Sequence, residues 1–218
     1  MSAEPRTPLT RDRVVAAAVG RADAAGLDGL SMRALADELG VVPMALYKHV
    51  ANKGALLDAM VEALFVEIGV RDASADWRGW LRRRATEVRG ALRRHPWANG
   101  IMETRAPGPV NLRHHDAVLG CLRGAGFAFA DAIHAYSLMD AYVYGFAAQE
   151  AALGFARPSD AGEAASRRAA SVPSSDGLPH LAELVRLLPA SGYDPDVEFA
   201  WGLDLLLEGL ERRLASRR

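Results

Sequence analysis

The sequence predicts an all-α protein in which a region of short helices precedes a region of long ones. Apolar residues recur with helical periodicity along most of the 218 residues, and alternating strand patterns are scarce. The chain is rich in alanine, which favours helix. Apolar stripes before residue 50 are short, whereas those after residue 76 are long. The pattern does not separate two domains cleanly, but the two regions differ in kind.

Start and stop signals set the short helices. Thr10, Ser31 and Asn52 are good N-caps, because their side-chain oxygens can accept from free backbone N–H groups. Gly26 and Gly40 are good stops. The predicted helices cover residues 11–25, 32–39, 42–50 and 53–69.

Longer helices follow a polar joint at residues 71–76. His95-Pro96 breaks the first of them, and Asp194-Pro195 opens the last. The Ser-, Ala-, Pro- and Gly-rich residues 157–179 predict a mobile loop. The predicted helices cover residues 77–94, 96–104, 109–124, 128–155, 180–188 and 195–214.

The composition excludes several classes of protein. Half of the residues are hydrophobic, 24% are charged and the net charge is −1, as in a folded globular protein. No apolar run approaches the roughly 18 residues of a membrane helix, and residues 1–13 lack the apolar core of a secretory signal. We therefore expect a cytoplasmic protein with no membrane partner.

Neither the candidate metal ligands nor the single thiol predicts a metal site or a reactive group. Cys121 is the single cysteine, so an internal disulfide and a cysteine-rich zinc site are excluded. On a helix, His114, His115 and Asp116 would point apart by about 100° per residue. We expect no metal, no cofactor and a buried thiol.

Residues 31–50 have the pattern of a helix-turn-helix motif. Two short helices flank Leu39-Gly40-Val41, and glycine permits a tight turn there. Leu35, Leu39, Val41, Leu46 and Val50 are the expected buried positions, which leaves outward Met44, Ala45, Tyr47, Lys48 and His49. These outward side chains are small, aromatic or basic, which suits the approach to DNA.

Alternatives to a DNA role exist for several of these positions. Tyr47 could be a core aromatic, and His49 could be a charge that favours the end of its helix. Met44 could be plain surface. Arg82, Arg83 and Arg84 are expected on solvated or interface faces of their helix.

Residues 10–60 resemble the DNA-binding domain of the tetracycline-repressor (TetR) family. The matching residues are Gly29-Leu30-Ser31, Arg33-Ala34-Leu35-Ala36, Leu39-Gly40-Val41, Leu46-Tyr47-Lys48-His49-Val50, Asn52-Lys53 and Ala55-Leu56-Leu57-Asp58. Residues 77–92, Thr104-Arg105, Gly126-Phe127 and 199–207 are similar to the ligand-binding domain of the tetracycline repressors themselves. The resemblance implies a DNA-binding domain over 1–54, a connecting helix over 53–69, and a ligand-binding and dimerisation domain over 55–218.

The resemblance also implies roles for single residues on double-stranded DNA. Arg33 and residues 43–45 (Pro43, Met44 and Ala45) match positions that approach base edges, and arginine can read guanine with two hydrogen bonds. Tyr47, His49 and Lys53 match positions that contact phosphates, and Lys48 is expected to do the same. Thr10, at the start of the first helix, completes the candidate set.

Two long helices predict a homodimer. Residues 128–155 and 195–214 are apolar on nearly every face, so each must be buried on every face. A chain of this size cannot bury both alone, and a four-helix bundle with a second copy would do so. The candidate interface residues are Tyr136, Met139, Val143, Trp201, Leu205 and Leu206. A two-fold dimer then predicts a palindromic operator.

The resemblance implies a cavity for a small-molecule effector. Its candidate lining is Arg84, Val88, Ile101, Thr104, Arg105, Val118, Leu122, Ile133, Ser137 and Ala141. The leading hypothesis is a repressor that the effector releases from DNA. The alternatives are a regulator that activates transcription, and a helical ligand-binding protein or enzyme without DNA binding. No paired carboxylates or nucleophile–base pattern favours the enzyme.

We predict that a magnesium–tetracycline complex is not the effector. Ile101 stands where the tetracycline repressors have a histidine that helps to chelate the metal, and Gly69 replaces a second histidine. Arg84 replaces the matched asparagine and Val88 a phenylalanine. Isothermal calorimetry should detect no micromolar binding of this complex, and such binding would contradict the prediction.

Overall fold

The structure is a computed structural model that describes residues 8–69, 76–154, 160–171, 177–191 and 193–216. These residues form helices, turns and loops, with no strand among them, so the all-α prediction is confirmed. The helices are α1 Arg11–Ala25, α2 Met32–Leu39, α3 Pro43–Leu46, α4 Lys53–Ile68, α5 Trp77–Arg94, α6 Pro109–Gly124, α7 Phe129–Leu153, α8 Ala161–Ala170, α9 Pro179–Ser191 and α10 Pro195–Ala215. Within the described ranges, none of them has the length and apolar character needed to cross a bilayer.

The predicted caps form as expected. Thr10, Ser31 and Asn52 each accept a hydrogen bond from the backbone N–H three residues later, at 3.2, 3.1 and 2.8 Å. Gly26 and Gly40 end their helices with φ of 67° and 66°, a left-handed conformation that favours glycine. Polar caps and glycine stops therefore fix the boundaries of α1 and α2.

The third helix is shorter than predicted. The sequence pattern gives 42–50, whereas α3 ends at Leu46. The chain then tightens, because the His49 N–H donates to the Leu46 carbonyl over three residues at 2.9 Å. Leu35, Leu46 and Val50 are buried as expected, but Leu39 and Val41 are only half-buried.

Two other predicted segments are wrong in part. The segment 96–104 forms a 3₁₀ helix only over Pro96–Gly100, and turns follow. The predicted loop 157–179 contains α8, because Ala161, Ala164 and Ala165 form one small face that can be buried. The high helix propensity of alanine outweighs the Ser, Gly and charged residues of this segment, which favour a loop. The remainder of that loop at 157–159 and 172–176 lies outside the described residues.

The described residues divide into two compact units. The first unit comprises the described residues of Met1–Ser74 and Gly90–Cys121. The second comprises those of Ala75–Arg89 and Leu122–Arg218. The division therefore falls within α5 and within α6.

Helix α4 supplies much of the core of the first unit. It packs against α1 and buries seven side chains, among them Leu56, Met60 and Leu64. Phe65 meets the buried His114 of α6 edge to face at 5.2 Å. His114 is thus a packed core residue, and Cys121 is buried as expected.

Helices α7 and α10 pack together in the second unit. Tyr142 stacks on Phe199, and its hydroxyl donates to the Phe199 carbonyl at 2.8 Å. A Cβ at Gly202 would overlap the Tyr142 ring, so glycine permits this close approach.

A buried ion pair joins α5 to α7. Arg89 donates to both carboxylate oxygens of Glu150 at 2.7 Å and pairs with Asp196 at 2.9 Å. Its guanidinium lies 4.5 Å from the centre of the Phe199 ring. Burial lowers the pKa of Arg89, but Glu150 and Asp196 outweigh it and raise the pKa overall.

Arg89→Leu is expected to lower the free energy of unfolding by about 3–5 kcal/mol, because it leaves the buried Glu150 charge unpaired. Arg78→Leu, which breaks an exposed pair with Glu211, should cost no more than about 1 kcal/mol. Urea unfolding measures both. Equal small losses, or no recovery in the Arg89→Leu, Glu150→Leu double variant, would contradict this account.

Candidate nucleic-acid interface

The helix-turn-helix is built on three buried anchors. Leu35 of α2 and Leu46 of α3 have no exposed surface, and Val50 is 4% exposed. Helix α2 packs against both α1 and α3, and Gly40 turns the chain between α2 and α3. The anchors fix which side chains of α3 face away from the core.

The predicted DNA-contacting side chains lie mostly on the surface. Met44 is 70% exposed and Tyr47 44% exposed, so Tyr47 is not a core aromatic. Ala45 and His49 are half-buried, while the exposed members are Thr10, Arg33, Pro43, Lys48 and Lys53. The structure therefore brings a polar and aromatic set to the surface around α3.

This surface carries positive charge that the described residues do not neutralise through ion pairs. Among the described residues, Arg33, Lys48 and Lys53 make no ion pair. Lys53 is also the first residue of α4, whose N-terminus carries a partial positive charge. A phosphate near Lys53 would meet both the ammonium and the helix end.

The segment after α5 is bonded to the start of α4. Arg105 donates to the Asp58 carboxylate and to the Gly54 carbonyl, both at 2.7 Å. Thr104 closes a turn on the Ile101 carbonyl at 3.2 Å. Arg105 is predicted to line the effector cavity, and the structure bonds it to Gly54, the residue that follows Lys53.

A second bond network joins α4 to α6. The Glu62 carboxylate accepts from the backbone N–H groups of Val110 and Asn111 in the first turn of α6. A Cβ at Gly108 would overlap this carboxylate, so the glycine leaves room for it. Glu62 thus complements the positive end of α6.

A third network joins α4 to α1. The His95 ring nitrogens lie 2.8 Å from Asp23 of α1 and 3.0 Å from Glu67 of α4. Trp97 also donates to Asp23 at 2.7 Å, and Arg94 donates to Glu67. Burial raises the pKa of Glu67, but hydrogen bonds from Arg94 and His95 outweigh burial and lower it overall.

The remaining effector candidates are placed differently from one another. Ile101 and Arg105 are half-buried and Val118 is buried in the first unit, where Thr104 is exposed. In the second unit Val88 and Leu122 are buried, whereas Ile133, Ser137 and Ala141 are exposed.

Arg84 is buried, which differs from the expected solvated face. Its guanidinium pairs with Asp140 at 2.7 Å and lies 5.7 Å from the centre of the Tyr136 ring. Burial raises the pKa of Tyr136, as does its hydrogen bond to Asp140. Because Asp140 already balances its charge, Arg84 is a poor anchor for an anionic ligand.

The dimer candidates fall into three groups by their exposure. Met139 and Val143 have no exposed surface in the chain, so they offer nothing to a partner. Tyr136 and Leu206 are half-buried. Trp201 is 66% exposed and Leu205 48% exposed.

Sequence patterns missed the residues that tie α4 to its neighbours. Asp58 and Glu62 are four residues apart, and Glu67 lies at the end of the same helix. This spacing places the first two on one face and was a usable signal. Their partners Arg105 and His95 could not be identified without the tertiary structure.

An exposed helix-turn-helix that carries Arg33 and Lys48, in a chain that otherwise consists of helices, is typical of a DNA-binding regulatory protein. Comparisons with known proteins agree. Residues 14–60 match the family described as bacterial regulatory proteins, tetR family, and residues 71–214 match the tetracyclin repressor-like C-terminal domain.

Relatives match along nearly the whole chain. The transcriptional repressor DrrR1 of Streptomyces coeruleorubidus is 35% identical over 98% of this chain and 82% of its own length. The class A tetracycline repressor from transposon 1721 of Escherichia coli is 35% identical over 97% of this chain and 95% of its own length. The structure of ActR from Streptomyces coelicolor in complex with actinorhodin has a TM-score of 0.76 and 28% sequence identity. The match covers 95% of this chain and 99% of ActR. The chain therefore belongs to the TetR family of transcriptional regulators, and the prediction that it is not an enzyme is confirmed.

Glu67→Gln is expected to destabilise the protein near pH 7 and to matter less in acid. The folded pKa of Glu67 is lowered, so its contribution is present above the ordinary carboxyl range and is lost as pH falls through the folded value. Urea unfolding of wild type and variant from pH 7 to about 3 measures the difference. A difference that grows in acid would contradict this, and the exposed Glu103→Gln is the control.

Proposed function

We propose that the protein is a homodimeric repressor that binds a palindromic operator and leaves it when a small molecule binds. The observation that carries the proposal is the exposed set Arg33, Lys48 and Lys53, which has no ion-pair partner among the described residues. Its named relatives are repressors, which supports the same direction of control. A protein with this task acts in the cytoplasm.

Different residues of this surface would supply the affinity for DNA and the specificity for its sequence. Lys48, Lys53, Tyr47 and His49 would contact phosphates, which supplies salt-dependent affinity and sets register. Arg33 would read a guanine edge, and Met44 could contact a thymine methyl group. Pro43, Met44 and Ala45 differ from the tetracycline repressors, so we expect a different operator.

The exposed apolar stripe of α10 supports the dimer. Val197, Trp201 and Leu205 recur every four residues and are 61%, 66% and 48% exposed. Contiguous apolar surface of this kind marks an interaction site. Leu138 on the neighbouring helix α7 is also exposed, at 46%. A second copy that brings the same stripe would cover this surface.

Effector release would act through α4. Arg105 bonds Asp58 and Gly54, so a ligand that moves the 101–105 segment would pull on the end of α4 that carries Lys53. Structures of the relative ActR are known in complex with actinorhodin and with (S)-DNPA, which supports a small-molecule effector here. Because coupling is reciprocal, bound DNA must weaken effector binding by the same factor.

Tyr47→Ala with Lys53→Ala is expected to weaken binding to a labelled duplex from upstream of the protein's own gene. The salt slope of the binding constant should fall by about 1 for each phosphate contact removed. An electrophoretic shift across a salt series measures both. Arg113→Ala, on the exposed surface of α6, should change neither, and equal effects in both proteins would contradict the proposal.

Trp201→Arg is expected to convert the dimer to monomers and to weaken operator binding, because it places a charge in the apolar stripe. Sedimentation equilibrium measures the mass. Leu112→Arg changes an apolar residue of α6 that is 54% exposed and should leave the dimer intact. A Trp201→Arg protein that remains dimeric would refute this interface.

A further inference from the structure

The second unit contains a cavity that no predicted site residue lines. It has a volume of about 640 Å³ and lies among α7, α8, α9, Tyr193 and the start of α10. Cavities of roughly 300–1,000 Å³ hold drug-sized ligands. None of the effector candidates taken from the family resemblance is among its lining residues.

The walls of the cavity are mostly aliphatic. Leu153 of α7, Ala165 of α8, and Leu181, Leu184 and Val185 of α9 contribute to them. Leu184 is 54% exposed, although it stands beside apolar neighbours. Covering apolar surface of this kind is worth about 25 cal/mol per Å². The walls therefore favour the apolar body of a ligand.

Polar groups stand around this apolar surface. Arg168 and Gln149 line the cavity, and neither side chain has a hydrogen-bond or ion-pair partner among the described residues. The adjacent Arg167, by contrast, pairs with Glu163 at 2.7 Å. Burial raises the pKa of Tyr193, so its hydroxyl stays protonated and can donate. Glu198 supplies a carboxylate that can accept.

We propose that this cavity binds a small hydroxylated aromatic acid, with its ring against Leu153, Leu181 and Leu184 and its acidic group on Arg168. The Arg168 guanidinium, which has no partner among the described residues, suits a carboxylate or sulfonate, which it can bind through two parallel hydrogen bonds. Gln149, Tyr193 and Glu198 would orient hydroxyl groups on the ring. The site does not depend on DNA binding, although occupancy of it could add a second route of control to the proposed repressor.

The anionic dye 8-anilinonaphthalene-1-sulfonate is a suitable probe, since it joins aromatic rings to one sulfonate. Fluorescence titration of the full chain should give one site per chain. Arg168→Gln should raise the dissociation constant about tenfold or more, and Arg167→Gln should leave it within about twofold. Both positions are exposed on α8, so neither change should disturb folding.

A second matched pair tests the wall. Leu184→Glu should weaken the dye, whereas Leu187→Glu, also exposed on α9 but outside the cavity, should not. Equal effects of the two arginine variants would overturn the proposal. So would loss of dye binding only in Trp201→Arg, because the dye would then lie on the α10 stripe. Operator binding, measured on the same samples without dye, tests the repressor function separately.

Discussion

Burial of α4 against α1 and α6 is the constraint on which the first unit depends. Leu56, Met60 and Leu64 have at most 1% of their surface exposed, and Phe65 reaches His114 of α6. Because close-packed helices cannot slide freely, the position of α4 follows that of its neighbours. Helix α4 begins at Lys53 beside the helix-turn-helix, so the core that holds it also positions Lys53, for which we propose a phosphate contact.

The polar face of α4 holds the helix to the segments that follow α5. Asp58, Glu62 and Glu67 bond the segments that contain Arg105, the first turn of α6, and His95. These bonds lie along the length of α4 and join it to the residues that follow α5. A displacement of that segment would therefore be transmitted to α4 and to Lys53 at its start.

Local chemistry explains what the sequence could predict. Caps at Thr10, Ser31 and Asn52 and glycine stops act within one helical turn, so the first helices are readable from sequence alone. The α8 helix was mistaken for a loop because its alanine face, Ala161 to Ala165, gains stability from burial against other helices, and no local signal shows that burial.

Long-range pairing explains most of what the sequence could not predict. Arg84 and Arg89 lie on an arginine-rich helix that looks solvated, yet both are buried because Asp140 and Glu150 of α7 neutralise them. Met139 and Val143 were expected at a partner surface, but the fold uses them in its own core. Around α3, Met44, Tyr47 and Lys48 are exposed as helical spacing predicts, whereas Ala45 and His49 are half-buried.

The central claim is that two copies of this helix-turn-helix read one symmetric site. Selection of duplexes from a random pool by the purified protein, followed by sequencing, tests it most directly. The account predicts an enriched two-fold symmetric consensus with half-site centres about 10 base pairs apart or a multiple of that spacing. An enriched sequence without symmetry, or no enrichment over the starting pool, would contradict it.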